Sequence, residues 1–283
     1  MGKKITISII MAVYNRADVV EQAIFSAVNQ TYKNIEFIIV DGGSTDGTID
    51  IIKKYEDKIS CWVSEPDNGI YDALNKGIKI ATGDYIEVLG SDDCFIDENS
   101  IARVVAELTE DIDILSATVI HVDEKTHLQM LWHNYSARNQ DTYNYRMIPH
   151  QGMFVKRELA MKYPFELDLR VVADYKFFLT CYFDDSIHIK YVDFPVVFYS
   201  LDGVSSDTSK ELQLIQEKNQ VRTYFGLPLL PPPPPPKNIY LKRFLKKIHL
   251  FELVRYLRNR FVKKGRKPHS CKWGICRWCG RGN

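Results

Sequence analysis

Ile35-Glu36-Phe37-Ile38-Ile39-Val40-Asp41-Gly42-Gly43-Ser44-Thr45-Asp46-Gly47 is the stretch that decides the fold. Its run from Ile35 to Val40 has the continuous apolar character of a strand buried on both faces, and it stops at a Gly/Asp-rich turn. The Gly42-Gly43 pair lets the backbone approach a ligand closely. A carboxylate at Asp41 can accept hydrogen bonds from a base N–H or a ribose hydroxyl, while Asp46 reads as the cap of the next helix. Upstream, residues 5–13 form a similar run, followed by a helix that Asp18 would cap and in which Val19, Ala23, Ile24, Ala27 and Val28 share a face. Downstream come a helix through Ile49, Ile52 and Tyr55, a strand at Ile59–Val63, and a helix over about Tyr71–Ala81. A strand at Asp84–Leu89 then ends in Gly90-Ser91-Asp92-Asp93. Such alternation predicts an α/β fold with a parallel sheet and right-handed crossovers, whose ligands lie at the carboxyl ends of the strands. Both acidic clusters fall there.

Beyond Glu110 the pattern loosens. Strands are expected at Ile112–Val119, His150–Val155 and Val192–Tyr199, and helices at Val172–Tyr182 and Glu211–Phe225. Six consecutive prolines, Pro231–Pro236, then mark a boundary. They favour a polyproline II spacer spanning roughly 19 Å at ~3.1 Å per residue. The expected organisation is a globular domain over 1–226, a spacer over 227–236 and a basic tail over 237–283.

The chain has 283 residues, and its net charge of +1 hides a division. From Lys237 onward there are 15 Lys+Arg and one acid, Glu252, which leaves −13 on the body and +14 on the tail. A uniformly basic nucleic-acid binder is excluded, and no apolar run approaches the ~18 residues of a membrane span. Cys61, Cys94 and Cys181 are too scattered to read as a disulfide framework, which suits a reducing compartment. Two targeting look-alikes at the N-terminus, a signal-like Lys3-Lys4 run and a myristoylation-like Met1-Gly2 opening, read better as the approach to a first buried strand at Ile5.

Ser91-Asp92-Asp93 is the sharper chemical signal. Two adjacent carboxylates at a strand end repel each other unless a cation sits beside them. A hard divalent ion, bound through one or two carboxylates and substrate phosphates, is the usual partner of such a site.

Several longer motifs fix the comparison. Ser8-Ile9-Ile10-Met11-Ala12-Val13-Tyr14-Asn15-Arg16 resembles the opening strand of the family 2 glycosyltransferases. Gln30 to Glu36, Val40 to Thr48, Asp67-Asn68-Gly69-Ile70-Tyr71-Asp72-Ala73-Leu74-Asn75-Lys76-Gly77, Ala81 to Ile86 and Ser91-Asp92-Asp93 continue the match in order. The resemblance covers about residues 5–95. It implies a GT-A fold, mostly parallel with helices on both faces, and inverting transfer from a nucleotide-activated sugar, UDP-linked by expectation. It implies that Asp41 reads the base and Asp92 the ribose, and that Asp93 holds Mg²⁺ or Mn²⁺ against the diphosphate. Ala12, Tyr14, Asn15, Ser44, Asp72 and Lys76 fall in the matched motifs as further substrate-binding positions. Two positions depart from the pattern: Ala12 stands where a proline is frequent, and Gly90 where an acid often precedes Ser-Asp-Asp.

The second half resembles the family through His150-Gln151-Gly152-Met153-Phe154, at the entrance to the acceptor side in bacterial polysaccharide members. It also does so through Val172-Ala173-Asp174-Tyr175, which aligns Asp174 with the catalytic base. A base is needed because the acceptor hydroxyl loses its proton as it attacks. His150 reads equally as a metal or diphosphate contact and as a hydrogen-bonded core histidine. A sugar-1-phosphate nucleotidyltransferase would want a Gly-rich triphosphate loop after the first strand, and Val13 to Asp18 has no glycine. A dehydrogenase would want Gly-x-Gly-x-x-Gly, which follows no strand here. A non-catalytic saccharide-binding scaffold would have no use for both Asp93 and Asp174.

In the tail, Leu241, Phe244, Leu245 and Ile248 share one helical face, and Leu250, Leu253, Val254, Leu257 and Phe261 another. With the basic residues between them, these stripes predict either a helix packed back on the acidic body or, as the preferred reading, an amphipathic helix on an anionic membrane surface anchored by Trp273 and Trp278. The enzyme would then sit peripherally at the cytoplasmic face and serve a saccharide acceptor, lipid-linked by the same logic. The tail should be removable without disturbing the strand-end sites. His269, Cys271, Cys276 and Cys279 are four metal-ligand types within eleven positions, although Cys-x4-Cys-x2-Cys is no standard finger, and free thiols are the plainer reading.

Overall fold

Strand β1 (Ile7–Val13) lies at the centre of the molecule, with residues Ile7, Ile9, Ile10 and Met11 fully buried. The structure, a computed structural model, describes residues 4–124, 126–132, 147–201, 211–232 and 267–279. β1 pairs in parallel with β2 (Ile35–Asp41) on one side and β4 (Tyr85–Val88) on the other, and β2 pairs in parallel with β3 (Cys61–Ser64). Helices α1 (Val20–Val28), α2 (Thr48–Lys53) and α3 (Ile70–Ile80) make the crossovers. The four strands are parallel, as their alternation with helices predicts. Their carboxyl ends, at Val13, Asp41, Ser64 and Val88, share one edge.

The rest of the sheet is mainly antiparallel. Strand β5 (Cys94–Phe95) is followed by α4 (Ser100–Glu107), β6 (Ile114–Val122) and β7 (Leu128–Trp132). A 3₁₀ turn (His150–Gly152) leads into β8 (Met153–Lys156) and α5 (Arg157–Lys162). Then come α6 (Ala173–Tyr182), β9 (Ile189–Ser200), α7 (Glu211–Tyr224) and β10 (Lys267–Pro268). β8 inserts antiparallel between β4 and β6, and β9 runs parallel to β6 past an irregularity near Thr118 while pairing antiparallel with β5. Two apolar clusters fill the two faces of the sheet, one around Ile9, Ile24, Phe95 and Phe198 and the other around Ile10, Leu74, Val155 and Phe178. That division follows from the period-2 geometry of β1, which sends Ile9 and Ile10 to opposite faces.

Local departures from the expected elements have physical reasons. Asp18 does not cap α1: the cap residue is Val19, which makes no side-chain capping bond. Asp46 acts one residue earlier than expected. Gly47 is the cap residue at φ 100°, while Asp46 Oδ1 accepts hydrogen bonds from the Thr48 backbone N–H and hydroxyl. The expected strand at His150 begins three residues later, after the 3₁₀ turn. Gly152 closes this turn against β6, where an added Cβ would stand 2.4 Å from the Ala117 carbonyl oxygen.

The C-terminal segment differs most from expectation. The stripes from Leu241 to Phe261, and the prolines beyond Pro232, lie outside the described residues. Residues 267–279 do not stand apart from the body. β10 pairs with β7, and Trp273 and Trp278, only 6 % and 2 % exposed, join the core cluster of β1 and α1. Trp273 Nε1–H donates to the Phe95 carbonyl, and its ring meets Phe25 edge-on at 5.9 Å. The expectation that these tryptophans anchor a membrane surface is therefore corrected. Burying an aromatic side chain in a protein core stabilises it by about 2–3 kcal/mol, which neither ring would gain at a lipid interface while remaining here. Among the described residues, no helix is long and apolar enough to cross a membrane.

Candidate functional site

The turn after β2 is built around Asp41, which is fully buried. Its Oδ2 accepts from the backbone N–H of Gly43 and Ser44 at 3.0 and 2.9 Å and from the Ser64 hydroxyl at 2.7 Å. Its Oδ1 accepts from the Ser44 hydroxyl at 2.5 Å. Three donors on Oδ2 and one on Oδ1 make this carboxylate the brace of the turn. Only Oδ1 keeps an acceptor position, and the whole residue is buried beneath the turn. Ser44 is likewise committed, since its Oγ also accepts from the Asn15 backbone N–H. Asn15 adopts φ 50°, and its side-chain oxygen accepts from the Thr45 backbone, so the β1 and β2 turns are laced together. Asparagine is among the few residues that take this conformation cheaply. Half-buried Ala12 lies opposite Val40 in the ladder beneath this lacing.

The carboxylate that does reach the mouth of this turn is Asp67. Its Oδ1 accepts from the Gly69 backbone at 2.8 Å, and its Oδ2 occupies the space over Gly42. A Cβ on Gly42 would stand 2.5 Å from Asp67 Oδ2 and 3.3 Å from the Tyr14 ring. Tyr14 itself is 60 % exposed, a large aromatic face left open beside the carboxylate. Asp72 and Lys76 brace the same loop. Asp72 accepts from the Asn68 backbone, and Lys76 binds Glu65 at 2.8 Å and the Pro66 carbonyl at 3.3 Å.

At the end of β4 the glycine before Ser91 has a steric reason. A Cβ on Gly90 would meet Asp93 Oδ2 at 2.3 Å and Asp92 Oδ1 at 3.3 Å, so both carboxylates converge over it. Asp93 is 1 % exposed, and its Oδ1 accepts from the Ser200 backbone at 2.8 Å. The Gln151 side chain hydrogen-bonds the same group. Burial first, and then the neighbouring Asp92 charge, pushes the Asp93 carboxyl well above the ordinary range. Asp92 is also pushed up by burial, against the pull of Arg16 and Arg277. Beneath them Glu87, fully buried on β4, has no hydrogen-bond partner among the described residues and is pushed up by burial and by Asp93. Buried carboxylate oxygens that converge, with acid in excess of the two guanidiniums nearby, are the donor set that a hard cation requires. The residues present fit Mg²⁺ or Mn²⁺, with Asp93 as the holding group and Asp92 beside it.

Asp174 sits in the first turn of α6 at the edge of an apolar cleft lined by Ile78, Val88, Met153, Phe165 and Phe177. Its Oδ1 accepts from the Tyr71 hydroxyl at 3.0 Å and from the Tyr175 backbone, and its Oδ2 lies 3.2 Å from His150 Nδ1. Burial would raise this carboxyl, but the His150 hydrogen bond and charge, with Tyr71 and the Tyr175 N–H, hold it below the ordinary value. Tyr71 in turn is pushed well up by burial and by Asp174, so it stays a donor. His150 therefore contacts the Asp174 carboxylate, and the structure gives it no contact with the Asp92–Asp93 turn.

The two acidic centres are joined by consecutive residues. His150 touches Asp174 and Gln151 touches Asp93, both from one 3₁₀ turn. Sequence reasoning singled out Asp93, Asp174 and His150. It missed Asp67 and Tyr71, which lie within a matched motif, and Gln151, beside His150. It also missed Glu87, an acid inside an apolar strand run, and Arg277, whose guanidinium donates to the Asp92 carbonyl at 2.6 Å and pairs with Glu124 at 2.6 Å. Only Glu87 carried a signal of its own, because a charged residue in a buried strand needs a reason.

Comparison with known proteins bears on the fold and the family. A PGL/p-HBAD biosynthesis glycosyltransferase of Mycobacterium bovis is 30 % identical over 229 residues, covering 79 % of this chain and 87 % of the relative. The solved structure of S. aureus TarS 1–349 in complex with UDP-GlcNAc superposes with a TM-score of 0.61 at 18 % identity, over 92 % of this chain and 73 % of that one. The mannosyltransferase PcManGT from Pyrobaculum calidifontis, in complex with GDP-Man and Mn²⁺, gives a TM-score of 0.61 at 17 % identity over 94 % and 77 %. These likenesses show a shared GT-A fold. A family model described as Glycosyl transferase family 2 matches residues 8–163, and the chain belongs to that family.

Proposed function

We propose that this glycosyltransferase moves one hexosyl or N-acetylhexosaminyl group from a UDP-linked donor to a saccharide hydroxyl, with inversion at the anomeric carbon. The observation that carries the reading is the 3₁₀ turn that holds a buried metal-type carboxylate, Asp93, and an ionised base-type carboxylate, Asp174, through adjacent residues. The acceptor O–H gives its proton to Asp174 as its oxygen bonds to the anomeric carbon. The bond from that carbon to the diphosphate oxygen breaks on the opposite face, and the nucleoside diphosphate leaves. Because His150 and Tyr71 hold Asp174 ionised, the base is ready at neutral pH. A divalent cation at Asp93 would, when bound, offset the charge that develops on the leaving diphosphate.

On the donor side, Asp67 is assigned to the base edge in place of Asp41, because it is the carboxylate at the open mouth, beside Tyr14, whose ring can lie against the base. Asp92 serves the ribose. The UDP donor is supported by TarS, solved with UDP-GlcNAc, and the cation by PcManGT, solved with Mn²⁺. The acceptor is assigned to a lipid-linked saccharide at a cytoplasmic membrane face, on the strength of the 11 basic residues against one acid over residues 237–266.

The test is turnover of the full chain with a panel of UDP- and GDP-sugars, with and without Mn²⁺, scoring free nucleotide and the anomeric configuration of the product. Release of UDP with an inverted product is expected. A product of retained configuration, or turnover untouched by chelator, would overturn the mechanism. Co-sedimentation with anionic and neutral vesicles at two salt concentrations checks the membrane assignment, which fails if the two vesicle types bind alike.

A further inference from the structure

The four ligand-type side chains of the C-terminal segment converge. One donor atom from each of His269, Cys271, Cys276 and Cys279 lies within 4.8 Å of all the others. Cys276 Sγ stands 3.4 Å from His269 Nε2, and Cys271 Sγ stands 3.5 Å from Cys279 Sγ. A tetrahedral ion with bonds of ~2.3 Å to sulfur and ~2.0 Å to nitrogen separates its ligands by about 3.8 Å (S to S) and about 3.5 Å (N to S). These two separations are close to that shell. They do not match a disulfide, whose sulfurs lie ~2.05 Å apart, and all six cysteines are free.

The surroundings are those of a closed site. His269 and Cys276 are 8 % and 3 % exposed, and His269 Nδ1 has no hydrogen-bond partner among the described residues. The Gln22 amide of α1 donates toward Cys276 Sγ at 3.8 Å and Cys94 Sγ at 3.2 Å, and Cys279 N–H closes a turn onto the Cys276 carbonyl. Four protein ligands leave no open coordination position, which marks a structural ion and not a catalytic one. Soft thiolates with one imidazole select zinc over the hard cations suited to Asp93.

An ion would also suit the segment's own structure. Its only regular element is a two-residue edge strand, so Trp273 and Trp278 are presented to the core from turns that a bound metal would hold in shape. We propose that His269, Cys271, Cys276 and Cys279 bind one structural Zn²⁺, which ties residues 269–279 into a single compact turn whose Trp273 and Trp278 pack into the core of the body. The ion sets the short turn between Cys276 and Cys279 that carries Arg277 to the Asp92 carbonyl.

The full chain, purified from zinc-supplemented medium, should contain one zinc per molecule by elemental analysis. Mercurial titration of the wild-type protein should release it in step with three protected thiols, read with a chromogenic chelator. Replacement by Co²⁺ should give thiolate charge-transfer bands and the intense visible bands of a tetrahedral ion. Cys271→Ser with Cys279→Ser should bring zinc to background, while Asp93→Asn should leave it unchanged. Background zinc in the wild-type protein with freely reactive thiols, or an octahedral cobalt spectrum, overturns the assignment. Both are read without any activity assay, so failure here is separate from failure of the proposed transfer reaction.

Discussion

Asp93 and Asp174 are both largely buried carboxylates at the mouth of one sheet, yet the protein treats them in opposite ways. Asp93 is surrounded by acid. Asp92 is adjacent, Glu87 lies beneath, and the carboxyl is pushed up. Asp174 receives a tyrosine hydroxyl, a backbone N–H and an imidazole, and is held down. The difference separates two kinds of acidic site. One keeps acid in excess of the guanidiniums of Arg16 and Arg277 and so suits a further cation. The other is already satisfied in its ionised form and waits for a proton.

The largest expected effect comes from neutralising the proton acceptor. Asp174→Asn should lower kcat by about 10²–10⁴-fold, the usual contribution of a positioned base, while leaving the donor KM within a few-fold. Steady-state kinetics with separate donor and acceptor titrations checks this. A lost donor affinity would move Asp174 to the nucleotide side and erase the contrast.

Asp93→Asn should lower turnover by about 10²-fold or more, as expected for removing an electrostatic contact to a leaving diphosphate, and abolish its dependence on Mn²⁺. Stability should move the other way. A carboxyl whose folded pKa is raised costs nothing below its unfolded value of about 4 and destabilises progressively as pH climbs above it. The metal-free Asn variant should therefore match wild type near pH 4 and melt higher at pH 7–8, a range over which Mn²⁺ should stabilise only the wild type. Thermal melts across pH, with and without Mn²⁺, read both signs.

Asp174 has the reverse linkage. Its depressed carboxyl contributes stability that is present above the unfolded pKa of about 4 and lost as pH falls through the lower folded value. His150→Ala should raise this carboxyl toward its ordinary value, moving the acidic limb of the kcat/KM profile to higher pH with a modest rate loss. The smallest effect is expected from Tyr71→Phe, which removes one hydrogen bond worth about 1 kcal/mol and so shifts that limb by less than about one pH unit. A limb unmoved in both variants would show that another group governs the profile.

The same contrast explains what was legible in the sequence. The parallel half was readable because β1, β2 and β4 are continuous apolar runs ending in acidic turns, and each crossover is a periodic helix. Asp93 and Asp174 were found through motif resemblance. Their opposite environments could not be, since these depend on Gln151, Ser200 and Tyr71, brought from far along the chain by β8, β9 and α3. Asp41 looks free at a strand end in the sequence, and the donors that brace it come from residues the fold gathers around it. The segment from Lys267 to Cys279 misled for a similar reason. Basic charge and tryptophan suggest a surface, and only the fold reveals that both indoles are in the core. β5, with two residues, and β7, with a half-exposed face, carry too little periodicity to be seen in advance.

The 3₁₀ turn at His150–Gly152 has a thermodynamic consequence. It is one rigid piece, wedged against the Ala117 carbonyl with no room for a Cβ, and its first two residues grip the two acidic centres. The contacts to Asp93 and to Asp174 therefore start from one anchored stretch of backbone, and a shift of that backbone would be felt at both. Any coupling that such a shift creates is reciprocal in binding free energy. Whatever factor a ligand at one acidic centre adds to affinity at the other, the second ligand must add in return.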